Sequence, residues 1–443
     1  MQNQGIRDAR SLGTPKLLVL GLQHMFAMFG ATVLVPALTG LSVSATLLFA
    51  GLGTLFFHFV TKGKVPAFLG SSFAYLAGYA AIAPNGEAAL LPYACVGVAA
   101  SGLLYLILAA LVRGFGANRV MRFFPPVVTG PIIICIGMTL ANSAINNCTG
   151  SWDIALVAIL TVVIFNIWGK GMLRIIPILL GVLVSYVYAA VTGRVDFTVV
   201  ASAAWIGLPV KMENTVFSLI GNCDANLLVT AIIAIMPIAF ATMIEHIGDI
   251  CAISSTVGAN FIADPGLHRT LLGDGLATSI ASLVGAPANT TYGENTGVLA
   301  LTRVYDPLVI RLAAVYAIIA SFCPKFAALV SAMPTGTIGG VSLILYGMIS
   351  AIGVRNLVEN RVDLAKSRNV IVVSLIISLA LGITFSTAGA ITFHVGEFTL
   401  NFSGLAVAAI VGIVVNAILP GKDYDFQNDY EYGKTTEDHG QML

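Results

Sequence analysis

The stretch Gly285–Arg303, GAPANTTYGENTGVLALTR, decides how the rest of the chain is read. Pro287 interrupts an apolar run, polar and β-branched residues follow through Tyr292, and Gly293 and Gly297 flank Glu294 and Asn295 before an apolar helical pattern resumes. The apolar segments on either side put this break at membrane depth. Non-helical backbone survives there only where other protein or a water-filled cavity satisfies its N–H and C=O groups. A carboxylate near the start of the resumed helix therefore marks a candidate binding site.

Composition supports that depth. The 443 residues are 57% hydrophobic and 10% charged, with a mean hydropathy of +0.92, far more apolar than a soluble core requires. The chain reads as an all-α polytopic membrane protein. Its first apolar segment, 17–38, is too long for the apolar region of a signal peptide and is followed directly by a second span, so it is expected to stay in the mature chain. The six cysteines are scattered without CxxC or Cys/His spacing, which argues against a metal site. Cys148 and Cys223 both fall in segments read as extracellular, where a disulfide is chemically open to them. No HExxH, GxSxG, Walker A or CxxC pattern appears, so neither an enzyme nor a cofactor is indicated. Nor does the near-neutral net charge of +1 point to nucleic acid.

A span needs about 17 to 25 mostly apolar residues. Working outward from the break gives fourteen candidates: 17–38, 43–61, 67–81, 90–112, 123–142, 154–169, 172–192, 225–253, 270–284, 288–302, 307–330, 335–354, 367–387 and 403–420. The third and tenth are interrupted. Positive charge gathers on the cytoplasmic side of membrane proteins. With both termini inside, only Arg194, Lys211 and Lys325 of the 22 Lys and Arg residues fall outside. A missed or invented span would scramble that alternation. The segment from Thr192 to Asp224 is the one sizeable loop, and its VDFTVV and VFSLI runs suit an extracellular hairpin or an amphipathic piece. Residues 421–443 read as a solvated cytoplasmic tail.

An internal repeat is visible. Gln23-His24 in span one matches Glu245-His246 in span eight, Ser71-Ser72-Phe73 in broken span three matches Thr290-Thr291-Tyr292 in broken span ten, and Pro125-Pro126 with Gly130 and Gly137 resembles Pro334 with Gly340 and Gly347. Seven spans per half is an odd number, so the halves enter the membrane in opposite senses. The result is a 7+7 inverted repeat, an architecture in which discontinuous helices mark a substrate site near the midplane.

Ionisable groups within spans are few: His24, His58, Glu245, His246, Asp249, Asp274 and Glu294. Each costs about 2.5–3.5 kcal/mol at a helix centre. Glu245 and Asp249 are four apart and share a helical face, whereas His246 is rotated about 100° from it. The two acids read as a site wall, or as partners for nearby backbone or a buried His. Asp274, between Gly273 and Gly275, serves either a ligand or the backbone opened by the broken spans. Glu294 opens a half-helix whose positive end favours the ionised acid while desolvation opposes it. Phe73 and Tyr292, at matched positions, offer an aromatic wall, main-chain donors or ordinary packing. His24 is expected to bond to a residue of span eight or ten in a structural or coupling role, and His58 to sit at the interface.

Glu294-Asn295-Thr296-Gly297, ending in Thr302-Arg303, resembles the signature of the nucleobase–ascorbate transporter family, also called nucleobase:cation symporter family 2. The longer NTTYGENTGV, with EHIGD in span eight and LHRTLLGDG in span nine, is similar to its uracil permease branch. The resemblance extends over essentially the whole membrane chain. It implies a core domain of spans one to four and eight to eleven (1–112 and 225–330) and a gate domain of spans five to seven and twelve to fourteen (113–224 and 331–420). It also implies a short strand in each broken span, the two pairing across the site. By resemblance Glu245 and Glu294 hold the base, main-chain groups near Phe73 and Gly293 assist, Asn295 braces the loop, and the protein is a homodimer in the cell (cytoplasmic, inner) membrane. Family members vary at Asp249, where some uracil carriers have His.

The expected activity is uracil import by proton symport, with H⁺ as coupling ion and no cofactor. Uracil carries N–H donors beside carbonyl acceptors, so a carboxylate accepts from the donors and a protonated carboxyl or main-chain N–H serves a carbonyl. The nearest alternative is a xanthine or urate carrier of the same family, for which Gln rather than Glu is expected before Asn295. An anion exchanger of the same fold is a more distant alternative, since it should present a basic or uncharged site.

Overall fold

A computed structural model of the chain describes residues 5–395 and 398–421; the expected tail beyond 421 lies outside the described residues. The first half runs through α1 (Thr14–Thr39), α2 (Val43–Val60), β1 (Leu69–Ser71), α3 (Leu76–Ile82), α4 (Leu91–Phe115), α5 (Ala117–Met121), α6 (Pro126–Cys148), α7 (Trp152–Trp168), α8 (Met172–Ile175) and α9 (Pro177–Val191). A connecting segment carries α10 (Thr198–Ser202). The second half runs through α11 (Ala225–Ile235), α12 (Ala239–Val257), α13 (Leu267–Leu283), β2 (Asn289–Thr291), α14 (Gly293–Thr302), α15 (Pro307–Ser321), α16 (Pro324–Ser331), α17 (Thr335–Glu359), α18 (Ser367–Thr384), β3 (Ala390–Val395), β4 (Phe398–Ser403) and α19 (Gly404–Ile418). The chain is thus mostly helical and multi-pass. Among the described residues seven helices are long and apolar enough to cross a membrane, counting Ala225–Val257 as one, and the bent pair α15–α16 makes an eighth.

The two interruptions meet. β1 and β2 pair antiparallel, with Leu69 opposite Thr291, Gly70 opposite Thr290 and Ser71 opposite Asn289. All six residues are buried. Each strand satisfies backbone groups of the other, and side chains of surrounding helices take up the remainder. Thr54 of α2 accepts from Leu69 N at 2.8 Å, Thr278 of α13 donates to Asn289 O at 2.8 Å, and Asn289 Nδ2 reaches back to Phe49 O at 3.0 Å. Polar and β-branched residues occur here because an extended segment at this depth needs a bonded partner for every backbone group. Two glycines make room. A Cβ at Gly70 would lie 2.4 Å from the Tyr292 ring, and one at Gly53 would lie 2.2 Å from Asn289 Nδ2.

Helices pack around this pair in two groups. α4 lies on α13 and α2 on α15, flanking the strands, while α6 lies on α17 and α7 on α9. α11 and α12 are joined by a turn at Met236–Ile238, where Pro237 withholds a backbone donor.

Several expectations need correction. The segment read as one span over 307–330 breaks after Ser321 and bends by 88°. Cys323 is extended, as the residue before a proline prefers, and Pro324 cannot continue the ladder. The freed backbone is met by the long connection, through Gly207 N to Phe322 O at 3.0 Å and Lys325 N to Ala204 O at 2.9 Å. That connection forms no hairpin. VDFTVV contributes α10 and VFSLI a 3₁₀ turn at Val216–Leu219. The hairpin is instead β3–β4, which joins the spans read over 367–387 and 403–420. Span 172–192 is likewise divided at Ile176 by Pro177. Cys148 is buried, Cys223 is exposed, and both are free.

Candidate functional site

A cavity of about 470 Å³ opens beside the paired strands. One wall comes from α12 and from the β2–α14 segment: Glu245, Asp249, Thr290 through Glu294, and Gly297. Phe73, just past β1, stands at its edge, and Ile133 of α6, Pro177 to Leu179 of α9 and Leu345, Met348 and Ile349 of α17 supply apolar surface. A mostly apolar hollow with a few convergent polar groups is the usual form of a small-molecule site.

The structure brings together five of the expected ligand contacts. Glu245 and Asp249, one helical turn apart, both line the cavity, and Glu245 Oε2 is shielded from solvent with no hydrogen-bond partner. An acceptor left open at this depth costs free energy until a donor or a proton meets it. Glu294 lies in the first turn of α14, where unpaired N–H groups and the helix dipole favour negative charge. Gly293 adds no side chain, and a Cβ built there would come within 4.0 Å of Asp249 Oδ1, so the backbone of α14 and the α12 carboxylate face each other closely. Phe73 is held edge-on by Tyr346 of α17, with centroids 5.7 Å apart.

Tyr292 has a divided role. Its side of the strand faces the cavity, but its hydroxyl donates to Ser71 O at 2.8 Å and lies 3.2 Å from Ser71 Oγ, tying β2 to β1. His24 and Asn295 are not on the cavity wall. Asn295 Nδ2 donates to His24 O at 3.1 Å and faces His24 Nδ1 at 3.2 Å, which anchors α14 to α1. Asp274 is also withdrawn from the cavity. It is fully buried, 3.4 Å from His246 Nδ1. His58, expected at an interface, is only 3% exposed and bonds through Nε2 to Ala67 O at 2.9 Å, bracing the approach to β1. Among the described residues no group of three or more His, Cys, Asp or Glu is arranged to hold a metal ion.

Comparison with known proteins places this geometry. The model of a Permease family, Xan_ur_permease, matches residues 15–389. The chain belongs to this permease family. The permease is 42% identical over 437 residues to a protein named uracil permease from Bacillus caldolyticus, covering 96% of each chain. It is 40% identical over 453 residues to the uracil permease of Bacillus subtilis (strain 168), covering 99% of this chain and 98% of that one. Among solved structures it is similar to the transmembrane domain of a cyanobacterium bicarbonate transporter, BicA, with a TM-score of 0.64 at 13% identity, covering 94% of this chain and all of that one. That likeness is one of fold. The relatives carry transporter names, and the permease is not an enzyme.

Other residues around the cavity were not anticipated. Thr291, quoted above only for its place in the repeat, donates to Asp249 Oδ2 at 3.0 Å. Its β-branched, hydroxylated character beside an acid-bearing face was the available signal. Arg174 and Arg355 also line the cavity. Arg174 falls just inside the start of span 172–192 and Arg355 just past the end of span 335–354, and α17 continues to Glu359, which pairs with Arg355 at 2.6 Å. Local hydropathy carries no trace of two helix ends converging on one hollow.

Proposed function

We propose that the permease imports uracil, or a closely related nucleobase, by proton symport with alternating access. The observation that carries this reading is the meeting of Glu245, Asp249 and Glu294 in one cavity with Phe73 at its edge. A flat neutral base is served by a ring, by acceptors for its N–H groups and by a donor for its carbonyl. A carboxylate shielded with a neutral ligand must lose its charge or pair it. Uptake of a proton by Glu294 or Glu245 as the base binds meets that need. The uracil permease names of the two Bacillus relatives support the substrate class, and Glu rather than Gln at 294 favours uracil over xanthine.

The same reading takes the fold as fourteen spans in a 7+7 inverted repeat, with both termini cytoplasmic in the cell membrane. The pairing supports it. Gly70 faces Thr290, 220 residues later, close to the spacing that relates the sequence repeats, as a local two-fold axis through the strands requires. Packing of α4 on α13 and of α2 on α15 exchanges under that axis. Spans one to four and eight to eleven then form the core domain carrying the acids. Spans five to seven and twelve to fourteen form the gate that supplies the apolar wall. Movement of one against the other would open the cavity to either side, and a homodimer would hold the gates still.

Uracil uptake into proteoliposomes under an imposed pH gradient, with and without Na⁺, tests the function. Accumulation driven by the pH gradient alone is expected. Uptake driven by Na⁺ alone refutes proton coupling, and competition of uracil uptake by xanthine at equal concentration refutes selectivity for uracil over xanthine.

A further inference from the structure

A second set of ionisable groups lies directly behind the cavity wall. Thr291 Oγ1 bonds Asp249 Oδ2 at 3.0 Å on one side and lies 3.4 Å from His246 Nδ1 on the other. The same Nδ1 lies 3.4 Å from Asp274 Oδ2, and both side chains are fully buried. The contact has the separation of an ion pair without the alignment of a hydrogen bond, so neither Asp274 oxygen nor His246 Nε2 has a hydrogen-bond partner. His246 is the one ion-pair partner of Asp274 among the described residues. Phe57 and Tyr105 stand edge-on to the imidazole, at 6.3 and 6.5 Å between centroids. The other ionisable groups facing Asp274 are Tyr105 on α4, Tyr75 after β1, and Glu245 and Asp249 on α12.

A buried carboxylate without a bonded partner is costly. One added proton makes this pair either an imidazolium beside a carboxylate or a neutral imidazole beside a carboxylic acid, and both are cheaper. The polar connection from the pair to the cavity runs through Thr291 to Asp249, which lines it.

We propose that the His246–Asp274 pair is the resting place of the transported proton, loaded from the cavity through Asp249 and Thr291. This rests on the proton-symport reading and places the proton one step beyond the carboxylates that face the base. In the transfer, a proton on Asp249 Oδ2 moves to Thr291 Oγ1 while that oxygen gives its own proton to His246 Nδ1. One O–H bond breaks at Asp249 and one forms at Thr291. The original Thr291 O–H breaks, and an N–H forms at His246. Asp249 returns to a carboxylate, and the new imidazolium faces the Asp274 carboxylate. The proton then binds α12 to α13 inside the core without any contact between Asp274 and substrate.

The test uses the full-length permease in proteoliposomes. Binding of radiolabelled uracil, uracil counterflow at equal pH and accumulation under an inward proton gradient are measured for wild type, Asp274→Asn, Thr291→Ser and Thr291→Val. Asp274→Asn is expected to bind uracil within about threefold of wild type and to sustain counterflow, but to lose gradient-driven accumulation by at least about tenfold. Thr291→Ser, which keeps the hydroxyl, is expected to accumulate uracil. Thr291→Val is expected to lose accumulation by about tenfold relative to its own counterflow. Accumulation undiminished in Asp274→Asn overturns the proposal, as does accumulation in Thr291→Val that matches Thr291→Ser. If Asp274→Asn does not fold, the Thr291 pair decides alone. A wild type that binds uracil yet fails to accumulate it under the gradient refutes proton symport and the proposal with it. A wild type that binds no uracil refutes the substrate reading instead.

Discussion

The two strand-bearing breaks are built alike and furnished differently. Each has a three-residue buried strand followed by a short helix, and each strand bonds the other. After β1 come Ser72, Phe73 and the apolar seven-residue α3; after β2 come Tyr292, Gly293 and Glu294, which opens the ten-residue α14. The β1 side gives the cavity a ring, propped by Tyr346 of α17. The β2 side gives it a carboxylate and, through Thr291, a bond to Asp249. Backbone satisfaction treats both strands equally, because each must supply the partners the other lacks. A planar ligand with several polar edges does not, because it needs hydrogen-bonding groups along those edges and a ring against a face.

If that division is correct, the largest effect lies on the acid side. Glu294→Ala and Glu245→Ala should each weaken uracil binding by about 10–100-fold, the measure of one charge-assisted hydrogen bond of about 1.5–3 kcal/mol. Undiminished binding in either variant, measured by equilibrium binding to the purified protein, would remove that residue from the site. A smaller effect belongs to the shared scaffold. Gly70→Ala drives a Cβ to 2.4 Å from the Tyr292 ring and should lower stability by about 1–3 kcal/mol, the usual cost of overpacking. A thermal melt unchanged by Gly70→Ala would mean that the strand pair tolerates separation. The smallest effect is expected on the β1 side. Phe73→Ala should weaken binding by about two- to tenfold, the worth of one aromatic contact at about 0.5–1.5 kcal/mol. A loss as large as that of Glu294→Ala would erase the contrast between the two breaks.

The break itself was legible because two local signals coincide at Pro287 and Glu294: a residue that cannot continue a helix and an acid that does not belong in hydrocarbon. Glu245 and Asp249 were legible for a similar reason, since the helical period places residues four apart on one face. His24 was expected to meet span eight or ten, and it meets Asn295 of α14. The roles of Tyr292 and Asp274 were not separable in advance. Tyr292 spends its hydroxyl on Ser71, 221 residues away, and Asp274 meets His246 across 28 residues of chain. Neither distance leaves a mark on local composition. The bend at Pro324 was in principle readable, but the apolar run continues through it, and hydropathy outweighed the proline.

Sequence alone determined that this chain is a multi-pass membrane protein, that two of its apolar runs are interrupted, and that acids occur beside one of the breaks. These are properties of residue type and spacing, set by the cost of polar groups in hydrocarbon. Tertiary structure decided which side chains share the cavity and which stand behind it. The strands satisfy their backbones by pairing with each other and by bonds to Thr54 and Thr278, contacts between parts of the chain far apart in sequence.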